Sequence, residues 1–155
     1  MRRAPWTTLF LLPALLACGD STGPSVLAVN YVLTSVDGQP LPTGIGLPEG
    51  FVLQERMLWF GQSLDGWDAA EEMGQVTIRS RIRTPGGSED VSVTDYSFVL
   101  RGGILSINLC PIGAVCIAIV PQELSGPLVD GVLVLTELVA GRVGPTYRYH
   151  PVLPE

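Results

Sequence analysis

Residues 75–83 read Gln-Val-Thr-Ile-Arg-Ser-Arg-Ile-Arg, and this stretch decides the fold class. Apolar or small side chains alternate with polar ones, and a period of two is typical of a β-strand with one face in a core. On a helix the same arginines would scatter around the cylinder, whereas on a strand they form one row. The inward set is Val76, Ile78, Ser80 and Ile82. The outward set is Thr77, Arg79, Arg81 and Arg83.

We expect the three arginines to face water, because burying them unpaired would cost several kcal/mol each. Opposite charges on neighbouring strands stabilise sheets, so we expect pairs with nearby acids such as Asp90 and Asp95. The other interpretation of this row of arginines is a binding surface for an anionic ligand.

The rest of the chain continues the β pattern. Apolar stretches of strand length alternate with turn residues such as Asp37-Gly38, Ser125-Gly126-Pro127 and Asp130-Gly131. Eight strands joined by mostly short loops favour an all-β, antiparallel, up-and-down barrel, with a β-sandwich as the alternative. The predicted strands cover residues 27–36, 51–61, 75–83, 91–101, 104–110, 115–120, 132–139 and 146–152.

Composition excludes several classes of protein. The 155 residues include 18 glycines and 13 prolines, one residue in five, while only 15% are charged. Coiled coils and long helical bundles need more charges and fewer helix breakers. With 46% hydrophobic residues the chain is not of the disordered class. A net charge of −6 disfavours a nucleic-acid partner, because it would repel phosphates.

The N-terminus has the features of an export signal. Met1-Arg2-Arg3 is basic, and residues 9–17 form an apolar run too short to span a bilayer. The sequence Leu-Leu-Ala-Cys at residues 15–18 resembles a bacterial lipobox, in which the cysteine is acylated after cleavage. We therefore divide the chain into a signal peptide (1–17), acylated Cys18 with a flexible tether (18–25), and a β-barrel domain (26–155). The alternative is an ordinary secretory signal with a chance cysteine.

Residues 31–42, Tyr-Val-Leu-Thr-Ser-Val-Asp-Gly-Gln-Pro-Leu-Pro, resemble the opening of small bacterial envelope lipoproteins with a lipocalin-like β-barrel. The resemblance implies a barrel attached to the membrane by a lipid such as palmitate. Glycine and not aspartate follows the lipobox cysteine, at position 19, which resembles the address of an outer-membrane lipoprotein facing the periplasm. Members of this group are largely of unknown function, so the resemblance implies an architecture and not an activity.

Cys110 and Cys116 enclose five residues between two predicted strands. In an exported protein this spacing predicts a disulfide bond, which would contribute about 2 kcal/mol by closing a short loop. A redox pair or half of a zinc site are the alternatives. Zinc would need further ligands, and His150 is the only histidine.

The remaining candidates give no catalytic constellation. His150 lacks a nucleophile motif in the sequence. The acids at positions 65, 68, 71 and 72 do not match a calcium loop. We expect a non-enzymatic protein without cofactor or metal, and without a protein partner that the sequence identifies.

Four aromatic residues are candidates to line a cavity in the barrel: Tyr31, Trp59, Tyr96 and Phe98. A barrel of eight strands is wide enough to hold one small apolar molecule or to fill its interior with side chains. The sequence thus leads to two hypotheses. The protein binds a small apolar ligand, or it is a structural or interaction protein of the envelope, such as an assembly factor or a hydrolase inhibitor, with a solid core.

Overall fold

A computed structural model describes residues 30–65, 71–116 and 122–152, with the side chains of residues 62–65 left undescribed. Every regular element in these ranges is a β-strand. In chain order the strands are β1 (Asn30–Val36), β2 (Gln39–Pro40), β3 (Val52–Asp65), β4 (Glu71–Arg83), β5 (Glu89–Arg101), β6 (Ile104–Asn108), β7 (Gln122–Val129), β8 (Val132–Val139) and β9 (Arg142–Val152).

The sheet closes on itself. Each strand from β3 to β8 pairs antiparallel with the next strand, β1 pairs with β3, and β1 also pairs with β9. The short β2 is a ninth strand that pairs with β1 alone among the described strands. The prediction of an eight-stranded up-and-down barrel is confirmed, and the β-sandwich alternative is wrong. This architecture is compatible with a lipocalin-like fold.

Tight turns set the register of several hairpins. Asp37 and Gly38 both have positive φ between β1 and β2, and the same is true of Asp130 and Gly131 between β7 and β8. Positive φ at both central residues is the geometry of a type I′ turn, whose twist matches that of the flanking strands. Ala140 (φ 51°) and Gly141 make an equivalent turn between β8 and β9, although alanine gives little sequence signal for it.

The two faces of β4 follow the alternation of its sequence. Val76 is fully buried, Ile78 and Ser80 are buried, and Ile82 packs against the core. Since successive strand residues point to opposite faces, the arginines between them lie on the outer face.

The prediction that these arginines pair with Asp90 and Asp95 is wrong. Arg81 forms its ion pair with Glu55 on β3, at 3.0 Å. The register places Arg81 opposite Val91 on the β5 side, whereas Asp95 is opposite Thr77 and accepts a hydrogen bond from its hydroxyl. Asp90 is opposite Ile82, so it lies on the other face of the sheet from the arginines.

One predicted strand is misplaced. Val115 and Cys116 lie outside any strand, and the rest of the predicted 115–120 strand lies outside the described residues. The strand that pairs with β6 is β7, which contains the Ser125-Gly126-Pro127 stretch expected to be a turn. A side chain at Gly126 would collide with the carbonyl oxygen of Val134. The β7–β8 ladder has no pair at Gly126 or Pro127, so the missing N–H of proline is tolerated there.

Buried side chains from all eight strands of the barrel line its interior. They form one continuous cluster, and the loop before β3 adds further apolar contacts. The buried apolar members are Tyr31, Leu33, Val36, Leu53, Leu58, Val76, Ile78, Phe98, Leu105, Ile107, Leu124, Leu133, Leu135, Tyr147 and Tyr149.

Candidate functional site

The four aromatic residues predicted to line a cavity do not all face the interior. Tyr31 and Phe98 are buried in the core, and Tyr96 packs against it. Trp59 lies between two inward residues of β3, Leu58 and Phe60, so its side chain is on the outer face. The interior therefore contains three of the four.

Phe60 completes an aromatic cluster at one end of the interior. Its ring meets Tyr31 edge to face at a centroid distance of 5.8 Å, and Phe98 in the same way at 5.2 Å. Edge-to-face contacts of this kind add stabilisation beyond the burial of apolar area. We call Tyr31, Phe60 and Phe98 the apolar end; it lies toward the end of the barrel where β1 begins and β9 finishes.

The opposite end of the interior is polar and centred on Arg56. Its neighbours are Ser80 on β4, Glu137 on β8, and Tyr147 and Tyr149 on β9. We call these five residues the polar end. The β3–β4 register pairs Arg56 with Ser80, which places the guanidinium on the inner face.

Arg56 has few protein partners for a charged side chain so deep in a barrel. Its Nε–H donates a hydrogen bond to Ser80 Oγ at 3.0 Å. Its guanidinium carbon lies 5.0 Å from the centre of the Tyr147 ring, a cation–π contact. Among the described side chains no carboxylate forms an ion pair with it. Burial by itself would lower the pKa of Arg56, but the hydroxyls of Tyr149 and Tyr147 raise it above the usual value, so the group stays charged.

The two tyrosines of the polar end differ in one respect. The hydroxyl of Tyr147 donates to Glu137 Oε2 at 2.9 Å. The hydroxyl of Tyr149 is fully buried beside Arg56, yet no hydrogen bond of ordinary geometry reaches it. Burial raises the pKa of Tyr147 to about 12 and also raises that of Tyr149, since a phenolate would lose its hydration there.

Residues 41–51 cover the polar end. Leu41, Ile45 and Leu47 from this segment pack against the core. A Cβ added to Gly46 (φ 75°) would lie 2.8 Å from Pro145 Cγ and 3.4 Å from the hydroxyl oxygen of Tyr147. Only glycine allows this close approach of the loop backbone to the site.

The structure gives different outcomes for the cysteine and charged residues that the sequence singles out. The disulfide between Cys110 and Cys116 is confirmed, with a Cα–Cα distance of 5.8 Å, and it lies in the connection between β6 and β7. Cys18 lies outside the described residues, as does Asp68. His150 is exposed on the outer face of β9, and Glu71 pairs with Arg101. In the described parts of the chain no three potential metal ligands cluster.

Sequence reasoning missed Arg56, the centre of the polar end. A β-bulge between Leu53 and Glu55 reverses the parity of β3. Strict alternation from buried Leu53 would put Trp59 inside and Arg56 outside. The usable signal is the apolar pair Leu58 and Phe60, which share a face with Arg56 when counted from the other end of the strand.

Within the described ranges, no helix has the length and hydropathy needed to cross a membrane. Comparison of the chain with protein-family models, with curated proteins and with solved structures gives no significant match.

Proposed function

We propose that this protein is a non-enzymatic, lipid-anchored barrel of the bacterial envelope that holds one small, largely apolar molecule in its interior. The export-type N-terminus ending in Cys18 supports the location. A barrel of eight strands is the size that holds a single small ligand. The anchor and the binding activity rest on separate features and are tested separately.

The buried hydroxyl of Tyr149, which lies beside Arg56 and whose proton has no acceptor among the described residues, is the observation that carries the binding proposal. A buried hydroxyl without a hydrogen bond destabilises a protein by about 1–3 kcal/mol, and phenylalanine would fill the same space without this loss. Its neighbour is the charged group of Arg56. Ligand pockets have this composition: mostly apolar walls with a few placed polar groups.

The loop over the polar end supports access to the interior. Residues 41–51 are tied to β3 by two hydrogen bonds between Thr43 and Leu53, and to the core by three apolar side chains. Loops of this kind open at lower free energy than the strands of the barrel do. A ligand entering at this end would pass Tyr147, which lies against the loop at Gly46, before it reached Arg56 and Tyr149.

Native mass spectrometry of protein extracted from the envelope tests the binding proposal. We expect a species heavier than the acylated chain, whose extra mass is lost when the barrel is denatured. The same protein, stripped and incubated with a mixture of fatty acids, alcohols and sterols, should regain an added mass and melt at higher temperature. The binding proposal would be overturned if the protein showed no added mass in either experiment and no rise in melting temperature with the lipid mixture.

The anchor is tested by Cys18→Ser and metabolic labelling with a palmitate analogue. We expect loss of the label and release of the protein from membranes, because the acyl chain is the attachment to the membrane that we propose. The matched control is the double variant Cys110→Ala and Cys116→Ala, which should keep the label. Equal labelling of wild type and Cys18→Ser would contradict the anchor.

A second function is favoured by the outer face of β5. Val91 and Val93 are 47% and 58% exposed, beside Arg81 and Arg79 respectively. Exposed apolar side chains among charges are typical of surfaces that bind another protein. In this alternative the barrel is an interaction protein of the envelope. Cross-linking in intact envelopes would then give a discrete adduct that Val91→Ser with Val93→Ser abolishes and that Phe98→Leu leaves unchanged.

A further inference from the structure

We propose that the ligand of this barrel carries a carboxylate, and that Arg56 and Tyr149 bind it at the polar end. This inference rests on the proposed binding function and adds the chemical class of the ligand.

The polar end has unused donors and too few acceptors. Of the five N–H groups of a guanidinium, Arg56 gives one to Ser80 in a hydrogen bond of regular geometry. The hydroxyl of Tyr149 donates to no described atom. A group that accepts from both side chains completes the site, and a charged acceptor forms the stronger bonds with a guanidinium.

Glu137 shows that this environment accommodates a carboxylate. Its Oε2 accepts the hydrogen bond of Tyr147, the residue whose ring lies under the Arg56 guanidinium. Yet Glu137 and Arg56 form no ion pair, so the cation has no direct counter-ion among the described side chains. A ligand carboxylate would take that place, on the side of Arg56 where Tyr149 lies.

The walls around Tyr149 limit the size and charge of the head group. Leu33 of β1 and Leu133 of β8 pair with Tyr149 on either side, and both are buried. A phosphate would bring more negative charge than one guanidinium balances in an apolar site. A monoanionic carboxylate fits one cation, and its apolar chain would extend toward Tyr31, Phe60 and Phe98.

Isothermal titration calorimetry with matched pairs of ligands tests this assignment. The probes are octanoate, dodecanoate and hexadecanoate, each compared with the primary alcohol of the same length. The protein is the full chain with Cys18→Ser, which removes the need for detergent. We expect the best acid to bind at least about 10-fold more tightly than its alcohol, because only the acid forms charge-assisted hydrogen bonds with Arg56.

Substitutions at the polar end then identify the groups responsible. Arg56→Met should weaken binding of the acid about 10-fold or more and leave the alcohol nearly unchanged. Glu137→Gln should strengthen binding of the acid several-fold, since it removes a like charge near the site. Arg79→Met, an arginine removed from the outer face, is the control and should change neither affinity. Tyr149→Phe should weaken binding of the acid several-fold, and it replaces Arg56→Met if that variant does not fold.

The outcomes separate this inference from the function on which it rests. Equal affinity for acids and alcohols, or a preference for acids that survives both Arg56→Met and Tyr149→Phe, would overturn the carboxylate assignment while leaving a ligand-binding barrel. Binding of neither series to the wild-type barrel would overturn both.

Discussion

The two ends of the barrel interior differ in the contacts that their inward side chains make. At the apolar end the ring of Phe60 meets those of Tyr31 and Phe98 edge to face. At the polar end a guanidinium contacts one serine hydroxyl and one aromatic ring, and the neighbouring hydroxyl of Tyr149 has no acceptor for its proton among the described residues. The first arrangement stabilises the fold. The second costs stability, as sites that serve a function commonly do, and it is the arrangement on which the proposed binding function depends.

The tyrosines of β9 make the comparison within a single strand. Tyr147 and Tyr149 point into the same interior two residues apart, and both are buried. The hydroxyl of Tyr147 donates to Glu137, whereas the hydroxyl of Tyr149 lies beside Arg56 and has no acceptor among the described residues. Substitutions that shorten a side chain or remove a tyrosine hydroxyl measure how far the two ends differ in their contribution to stability.

Phe98→Ala should have the largest effect. Removing a fully buried ring from the apolar end leaves a cavity among Phe60 and its neighbours, and we expect a loss of about 3–5 kcal/mol in the free energy of unfolding. Urea denaturation measures it. The control on the same strand is Val93→Ala, an outward residue that should shift stability by less than about 0.5 kcal/mol. A loss below about 1 kcal/mol for Phe98→Ala would mean that the apolar end is not the stabilising region.

Ile78→Ala should destabilise the barrel by about 2–5 kcal/mol, because this side chain is buried on the inner face of β4. Arg81→Ala, three residues along on the outer face, should cost less than about 1 kcal/mol despite its ion pair with Glu55, since both side chains are well solvated. Denaturant melts of the two variants give the comparison. The reverse order would place the arginines inside and contradict the assigned faces of β4.

Tyr147→Phe should cost about 1.5–3 kcal/mol at neutral pH, because it removes a hydrogen bond to a charged carboxylate. The same variant should also change the alkaline limb of the stability curve. The pKa of Tyr147 is raised to about 12, above the value near 10 expected in the unfolded chain.

The folded state therefore holds this proton more tightly than the unfolded state. The stabilisation is complete below pH 10 and is lost as the pH rises toward and through 12. Chemical denaturation at a series of pH values should show a shallower alkaline decline in Tyr147→Phe than in the wild type. Identical slopes would show that Tyr147 does not carry the effect, and would assign it to Tyr149 and Tyr31, whose pKa values are also raised by burial.

Tyr149→Phe should have the smallest effect on stability, about 1 kcal/mol, the lower end of the cost of such a hydroxyl, and in the stabilising direction. The substitution removes a buried hydroxyl that has no hydrogen bond, and with it the cost of keeping that group from water. Thermal melting beside Tyr147→Phe gives the measurement. A loss as large as that of Tyr147→Phe would mean that the hydroxyl of Tyr149 has a structural partner and that the two tyrosines are equivalent.

Much of the fold followed from local pattern. The alternation in residues 75–83 predicts the faces of β4, and the Asp-Gly pairs predict the turns after β1 and β7. β7 escaped prediction because Ser125-Gly126-Pro127 has the composition of a turn. Its glycine is instead required by Val134, a residue on another strand, and no local propensity reports such a contact.

The polar end was much less accessible to sequence reasoning. Arg56 ends the polar run Gln54-Glu55-Arg56, which suggests an exposed strand, and a single bulge decides its face. Its neighbours come from β4, β8 and β9, between 24 and 93 positions away in the chain. Their meeting depends on the closure of the sheet between β1 and β9.

The sequence by itself determined the strand periodicity, the class of fold and the disulfide, because period-two alternation, turn residues and cysteine spacing are local properties of the chain. The tertiary structure decided which face of β3 enters the core and which side chains meet Arg56. Those outcomes depend on register, on one bulge and on barrel closure, and each is set by contacts between residues far apart in sequence. The charge of Arg56 beside a Tyr149 hydroxyl without an acceptor arises only when those strands are assembled. Burial and hydrogen bonding are properties of a residue's surroundings and not of its type.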